Sequence, residues 1–402
     1  MHILFITTHN FATNPRLVKE INLALTNNYK ATVVCFDFDN WSKQLNNKFK
    51  SDFNDKGVSI IEIPAGRKPF LSWLFSTVVN KLSKGVSLLN PSSIKLIAYQ
   101  FNKRSWLLNN ALNNLSGDFD LIVAHNPGSF YPAFHFSKQK KIPFGIDIED
   151  YHPGEASNEA QIGILKKLQN EIFPHAMYCS AASPLILEYC KADLAPAEMP
   201  NDAVIYNLFS AEEFVAPQYI DNARVKIVWF SQNIAAGRGL EEVVPVIKKL
   251  ADKFELHLFG NLNKAFANEW LTNAENIYTH DPLLQSDLHK QLSLFDIGLA
   301  IEPGKDLNNN LAVSNKIFAY MQSGLYIIAS STMAQKRLLN DFPDIGIITS
   351  LDNNSLEQTF LDCYNRMELI RSQKANRFQR AGSFSWETEG NKLLLLWKLI
   401  KK

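Results

Sequence analysis

A serine and a lysine beside each other at the start of a helix are the residues of this chain best typed for holding an anion. The strand-like run Phe295–Ile301 leads into the loop Glu302-Pro303-Gly304-Lys305-Asp306-Leu307-Asn308-Asn309-Asn310, and Ser314-Asn315-Lys316 then opens a helical segment. A helix N-terminus offers unpaired N–H groups and the positive end of the helix dipole, so Ser314, Asn315 and Lys316 are suited to a diphosphate. The plain structural alternative is a capping serine followed by a solvated lysine.

Other candidates lie at strand ends. His125 closes the run Leu121–Ala124 and is followed by Asn126-Pro127-Gly128, a loop-forming sequence that places the imidazole at the rim of a sheet. Arg16 stands just inside a helix that begins at Pro15, after the loop His9-Asn10-Phe11-Ala12-Thr13-Asn14, within reach of a phosphate or an anionic acceptor. The bland alternatives are a core histidine and an exposed helix arginine. Asp37-Phe38-Asp39 and Asp118-Phe119-Asp120 imitate an Asp-x-Asp metal signature but sit beside strands and read as loop carboxylates. No Ser or Cys occupies a nucleophile elbow. The first strand leads into His9-Asn10-Phe11-Ala12 and not into a Gly-x-Gly-x-x-Gly turn, which argues against a dinucleotide oxidoreductase.

The elements that must position these residues form two series. Strands are expected at Ile3–Thr7, Thr32–Phe36, Val58–Ile63, Leu121–Ala124, Phe144–Ile148, Ala176–Ser180 and Val204–Tyr206, and again at Val225–Phe230, Leu256–Phe259, Asn276–Tyr278, Ile297–Ile301, Tyr326–Ala329 and Ile345–Ile348, with helical periods between them. This is the pattern of two Rossmann-like, doubly wound parallel-sheet α/β domains. The expected boundaries are 1–206 for the first domain, 207–224 for a linker of weak periodicity containing Pro217, and 225–402 for the second. The terminal amphipathic segment Trp386–Leu399 suits either domain. Open parallel sheets bind ligands beyond the carboxyl ends of their strands, so the strand-to-helix loops of two such domains facing a cleft are where chemistry is expected.

Composition sets limits on partners. The 402 residues include 41 basic and 40 acidic side chains, a net charge of +1, which leaves no global field for nucleic acid. Cys35, Cys179, Cys190 and Cys363 lack metal-ligand spacing and read as buried thiols. Met1–Thr7 reads as a first buried strand, not as a leader, and no apolar run reaches membrane-spanning length, which points to the cytoplasm.

The segment Ser314-Asn315-Lys316-Ile317-Phe318-Ala319-Tyr320-Met321-Gln322-Ser323-Gly324-Leu325-Tyr326-Ile327-Ile328 resembles the donor-site helix and following strand of the GT-B fold glycosyltransferases, the group 1 or family 4 retaining type, whose members often read Ser-x-Lys-x-x-Glu-Tyr-Met-x-x-Gly-x-Pro-Val-Ile. The resemblance runs through most of the chain. It takes in Asn14-Pro15-Arg16-Leu17, Ala124-His125-Asn126-Pro127, Asp147-Ile148-Glu149-Asp150-Tyr151-His152, Ser231 to Glu241, Phe295-Asp296-Ile297-Gly298-Leu299 and Ser385-Trp386-Glu387.

That resemblance implies an N-terminal acceptor domain, a C-terminal domain binding a nucleoside diphosphate sugar, retention at the anomeric carbon, and no cofactor or metal, so that basic side chains offset the leaving diphosphate. It implies catalytic roles for Lys316, for Arg238 in the position of the family's lysine before Gly-Leu, and for His125 against the transferred sugar. Ser314, Asn315, Glu302 and Gly260 fall on the donor side; Asn14, Arg16, Asp150 and His152 fall on the acceptor or phosphate side. Two departures stand out. Gln232-Asn233 replace an expected arginine, and Leu311 and Ala319 occupy the positions of paired glutamates, the second of which contacts the donor ribose in relatives. These departures keep open a non-catalytic nucleotide-sugar-binding or scaffold subunit, and an epimerase of the same fold is a further alternative. Transfer to a glycan or lipid-linked acceptor, in surface-polysaccharide or glycoconjugate biosynthesis, is the main expectation.

One stretch remains. Residues 64–117 contain no acid but carry Arg67, Lys68, Lys81, Lys84, Lys95, Lys103 and Arg104, interleaved with aromatic residues. Leu71, Leu74, Phe75, Val78 and Leu82 recur at helical spacing, the pattern of a basic amphipathic helix at an anionic membrane surface or of an ordinary core-facing helix with a solvated rim. A peripheral position on the cytoplasmic face of a membrane is the corresponding expectation.

Overall fold

The computed structural model describes residues 1–90, 92–217 and 223–401. Seven strands, β1 (His2–Thr7), β2 (Lys30–Asp37), β3 (Ser59–Pro64), β4 (Leu121–His125), β5 (Phe144–Ile148), β6 (Tyr178–Ala181) and β7 (Asp202–Val204), form one sheet in the order β3-β2-β1-β4-β5-β6-β7. Six more, β8 (Val225–Ile234), β9 (Phe254–Leu262), β10 (Ile277–His280), β11 (Ile297–Ala300), β12 (Tyr326–Ser330) and β13 (Gly346–Thr349), form a second sheet in the order β10-β9-β8-β11-β12-β13. Every paired neighbour is parallel. The chain divides into one unit of Met1–Ile205 with Gly390–Lys402 and another of Tyr206–Glu389.

The central strands are apolar at successive positions because both faces of each sheet are covered. In the second unit Ile227, Trp229, Leu299 and Ile328 pack into one apolar cluster while their neighbours Val228, Ala300 and Ile327 pack into another, as alternate side chains of a strand must. Both sheets reverse their order once, between β1 and β4 and between β8 and β11. At such a point the connections depart in opposite directions and leave a crevice between the two loops.

Two boundaries differ from expectation, and the terminal helix takes one of the two placements left open. The seventh strand is Asp202–Val204, not Val204–Tyr206: the Ile205 N–H still donates to Ala181 O (2.9 Å), but the Tyr206 N–H turns to Glu389 Oε2 (2.9 Å) and the chain leaves the sheet. The first part of the expected linker is core, since Leu208, Phe209 and Phe214 are buried with Leu292, Ile317 and Phe318, and Gln322 bonds both the N–H and the carbonyl of Phe209 (3.0 and 2.9 Å). Residues 218–222 of that linker lie outside the described residues. The terminal helix Trp386–Lys398 carries Trp397, fully buried in the first unit, whose indole N–H donates to the Tyr178 hydroxyl (2.9 Å) and whose ring meets Phe5 edge-on.

The helix Asn315–Gln322 is seated on β11 through Tyr320, whose ring lies where a Cβ of Gly298 would be. Gly298→Ala should therefore force the ring and helix away and cost about 1–3 kcal/mol, read as a lower urea midpoint with an unchanged slope.

Candidate functional site

In the second unit the strand order reverses between β8 and β11, so the loops that follow these two strands flank the switch point. Ser314 occupies the N-cap of the helix Asn315–Gln322, yet its hydroxyl makes no capping bond; it donates to Glu302 Oε1 (2.8 Å). Lys316 Nζ donates to the same oxygen (2.8 Å) and stands 5.6 Å from the centre of the buried Trp229 ring. Burial would push the Glu302 carboxyl up, but Lys316, Ser314 and Asn309 hold it below the usual carboxylate range. Its backbone is fixed too, since Glu302 N–H donates to Ser330 Oγ (2.8 Å) and that hydroxyl donates to Glu302 O (2.7 Å). Glu302, expected on the donor side, is thus engaged with Ser314 and Lys316.

Arg238 is exposed between Gly237 (φ 77°) and Gly239 (φ 80°), and it makes no ion pair or hydrogen bond among the described residues. A Cβ on Gly237 would stand 2.6 Å from Lys305 Nζ, so the loop after β11 lays an exposed ammonium against the turn that carries Arg238. Lys305 is a cation that sequence reasoning did not assign; a Gly-Lys pair in a strand-to-helix loop was the available signal. The Asn315 side chain accepts from Asn207 Nδ2 (3.2 Å). Gly260 does not lie in a loop: β9 continues to Leu262, and Gly260 (φ 147°) passes the Ser231 carbonyl so closely, at a register shift between β8 and β9, that a Cβ would collide with it. Leu311 and Ala319 are fully buried, Ala319 in the core behind the helix.

In the first unit Asn126 links the ends of β1 and β4 at the switch point. Its backbone takes the unusual φ 64°, ψ 156°, while its side chain accepts from the Thr8 hydroxyl (2.6 Å) and donates to Thr7 Oγ1 (2.7 Å) across β1 and β4. Beside it lies a pocket of about 340 Å³ whose lining joins His9, Asn102, Asn126, Asp150, His152 and Glu155 to the apolar Phe101, Pro127 and Leu165. His152 Nδ1 is 3.0 Å from Glu155 Oε2. Burial, with Arg104 and His152 nearby, pushes His9 down to about 4, so its imidazole is neutral at pH 7. Asp150 and His152 are therefore brought together.

Asn14, Arg16 and His125 are not with them, which corrects their expected placement. Asn14 is a buried N-cap accepting from the Leu17 N–H (3.0 Å). Arg16 is fully buried, its Nε donating to Asp147 Oδ1 (2.8 Å) and its Nη1 to Ile205 O (2.5 Å). His125 is 1% exposed, with Nε2 3.3 Å from Glu20 Oε2 and Nδ1 3.5 Å from Asp147 Oδ2. Two buried cations face two buried carboxylates here, which offsets the cost of burying them; burial still pushes the Glu20 carboxyl up against the pull of His125 and Arg16. Glu20, four residues after Arg16 on the apolar face of Pro15–Thr26, and Asp147, inside an apolar strand, were the signals.

The donor atoms of Glu20, His125 and Asp147 lie within 4.8 Å of one another, close enough for a metal ion. The geometry instead fits an imidazolium: each ring nitrogen faces a different carboxylate, and Arg16 already pairs with Asp147. Burial would depress the His125 imidazole, but Glu20 and Asp147 reverse this and push it up to about 10. Burial opposes ionisation of Asp147, yet Arg16 and His125 hold its carboxyl low. Among the described residues no helix is long and apolar enough to cross a membrane.

No protein-family model matches the chain, and no curated protein matches it. Solved structures do. Anabaena Alr3699/HepE in complex with UDP is similar over 99% of this chain and 100% of its own, with TM-score 0.65 at 14% identity. Sucrose-phosphate synthase from Thermosynechococcus elongatus is similar over 100% and 99%, with TM-score 0.65 at 10% identity. A protein described as a UDP-N-acetylglucosamine 2-epimerase, from Listeria monocytogenes, is similar over 98% and 94%, with TM-score 0.55 at 14% identity. The likeness is one of fold: two parallel-sheet α/β domains of the GT-B type.

His125→Gln should cost about 3–5 kcal/mol in urea unfolding, because it leaves Glu20 and Asp147 buried without their imidazolium. The folded pKa lies above the unfolded 6.5, so the parent's extra stability is complete below that value and is lost as pH rises toward about 10. Melting temperature against pH should fall over that window in the parent and stay flatter in the variant.

Proposed function

We propose that this protein is a glycosyltransferase that moves a sugar from a nucleoside diphosphate sugar to a hydroxyl of a glycan or lipid-linked acceptor. The observation that carries the reading is the group at the β8/β11 switch point, where Ser314, Lys316 and Glu302 form one hydrogen-bonded cluster and Lys305 lies against the Arg238 turn. Fold neighbours that include UDP complexes add support.

In this reading Glu302 sets the directions of the Lys316 ammonium and Ser314, and Lys316 spends its remaining N–H groups on the diphosphate. Arg238 and Lys305, free of ion pairs among the described residues, offset charge that grows on the leaving phosphate oxygens. Lys305 then supplies the charge missing at Gln232-Asn233. The pocket of His9, Asn102, Asn126, Asp150, His152 and Glu155 takes the acceptor, since it sets hydrogen-bonding groups beside the apolar Phe101, Pro127 and Leu165, a combination that suits a sugar ring. The anomeric configuration is retained, the phosphate oxygen of the leaving group receiving the acceptor proton. The pathway is assembly of a surface polysaccharide or glycoconjugate.

Two rivals have their own motives. The buried Leu311 and Ala319 leave no carboxylate for the donor ribose, as in a binding subunit without turnover. The fold likeness to an epimerase raises isomerisation of the donor without an acceptor.

Nucleoside diphosphates should raise the melting temperature, and one nucleotide sugar should be consumed with release of its nucleoside diphosphate in the presence of acceptor. Lys316→Ala should cut that rate about 10²–10³-fold, and Lys305→Ala by a smaller factor. An isomerised donor formed without acceptor supports the epimerase; stabilisation without turnover supports the binding subunit; no stabilisation by any nucleotide removes the donor site altogether.

A further inference from the structure

The helix Phe70–Leu89 is built inside out. Its inward side is small and polar: Ser76, Ser83 and Ser87 are buried, and Asn80 Nδ2 donates to Tyr99 O (2.6 Å) and Gln100 O (3.0 Å) of the next helix. Its outward side carries Phe70, Leu71, Leu74, Phe75, Val78 and Leu82, each between 37% and 65% exposed. Residues three and four apart share a helix face, so these six form one continuous apolar strip. A core-facing amphipathic helix has the opposite arrangement.

Charge identifies what covers the strip. Arg67, Lys68, Lys81 and Lys84 are exposed on or beside this helix, and no acid occurs from Pro64 to Gly117. A second copy of the chain would bring the same cations together with no acid between them. Anionic headgroups above acyl chains match both the charge and the apolar strip. The helix is not apolar enough to span, so it would lie in the plane of the interface.

We propose that the outward face of Phe70–Leu89 docks the protein on an anionic lipid bilayer, with the apolar strip inserted among the headgroups. The docking stands without the transfer reading; what it adds to that reading is the acceptor's carrier. Asn80 pins the helix to Tyr99 and Gln100, and the next residues, Phe101 and Asn102, line the pocket assigned to the acceptor. An acceptor presented there would be carried on a lipid, a step that rests on the proposed function.

The test is cosedimentation of the full chain with vesicles of phosphatidylcholine alone or mixed with phosphatidylglycerol. Binding to the anionic vesicles should be about tenfold or more tighter and should weaken with salt. The double variant Leu71→Asp with Phe75→Asp alters only exposed side chains, so it should keep the parent's melting temperature and nucleotide response while losing vesicle binding. Lys81→Glu with Lys84→Glu should lose the preference for anionic lipid. Equal binding to both vesicle types, no binding at low salt, or unchanged binding by the aspartate variant would overturn the proposal. So would a parent dimer in analytical ultracentrifugation that this variant converts to monomer. Loss of nucleotide response in the parent itself would count against the transfer reading only.

Discussion

Parallel strands cannot be joined by tight turns, so each one must be followed by a crossover that returns over a face of the sheet. Most of this molecule follows from that constraint. It puts every strand-to-helix loop of a sheet along one edge, and where the strand order reverses, two of those loops part and leave a crevice. The β1/β4 and β8/β11 reversals are the places where Asn126 and the polar pocket, and Lys316 with its partners, are found. The groups suited to chemistry are where the topology leaves room for a ligand.

The two crevices handle charge in opposite ways. Beneath the first, Arg16 and His125 are buried against Asp147 and Glu20, and the four charges hold a helix and two strands together without reaching solvent. At the second, Arg238 and Lys305 remain exposed and, among the described residues, only Lys316 of the three is paired. A chain with net charge +1 has no long-range field with which to gather an anion. Any attraction for a diphosphate would have to come from such a local surplus, supported by the N-terminus of the helix Asn315–Gln322.

Strand existence was legible because both sheets are covered on both faces, which turns each strand into a short unbroken apolar run; β1, β4 and β12 are buried nearly throughout. Ends were less legible, since they depend on single distant bonds such as Tyr206 N–H to Glu389. The segment after Tyr206 looked like a linker because Phe209 and Phe214 show no period, and burial against Phe318 is a tertiary fact. For the site, residue types at Ser314 and Lys316 were readable, but their shared bond to Glu302, twelve and fourteen residues away, was not. His125 was misplaced for a related reason: a histidine at a strand end can point toward ligand or core, and the choice was made by Glu20 and Asp147, whose positions on apolar faces marked each as buried but not as partners of His125. The inverted face of Phe70–Leu89 shows the same limit, because its periodicity is equally good for a core helix and only burial says which side faces out.

The central claim is that the second unit holds a nucleoside diphosphate by the group around Lys316. The most direct measurement is a crystal structure of the full chain with a nucleoside diphosphate bound. The account predicts phosphate oxygens within hydrogen-bond distance of Lys316 Nζ and of the first-turn N–H groups of Asn315–Gln322, with Arg238 or Lys305 on their outer side. A diphosphate bound elsewhere on the chain, or Lys316 still held only by Glu302 with the nucleotide in place, would contradict it.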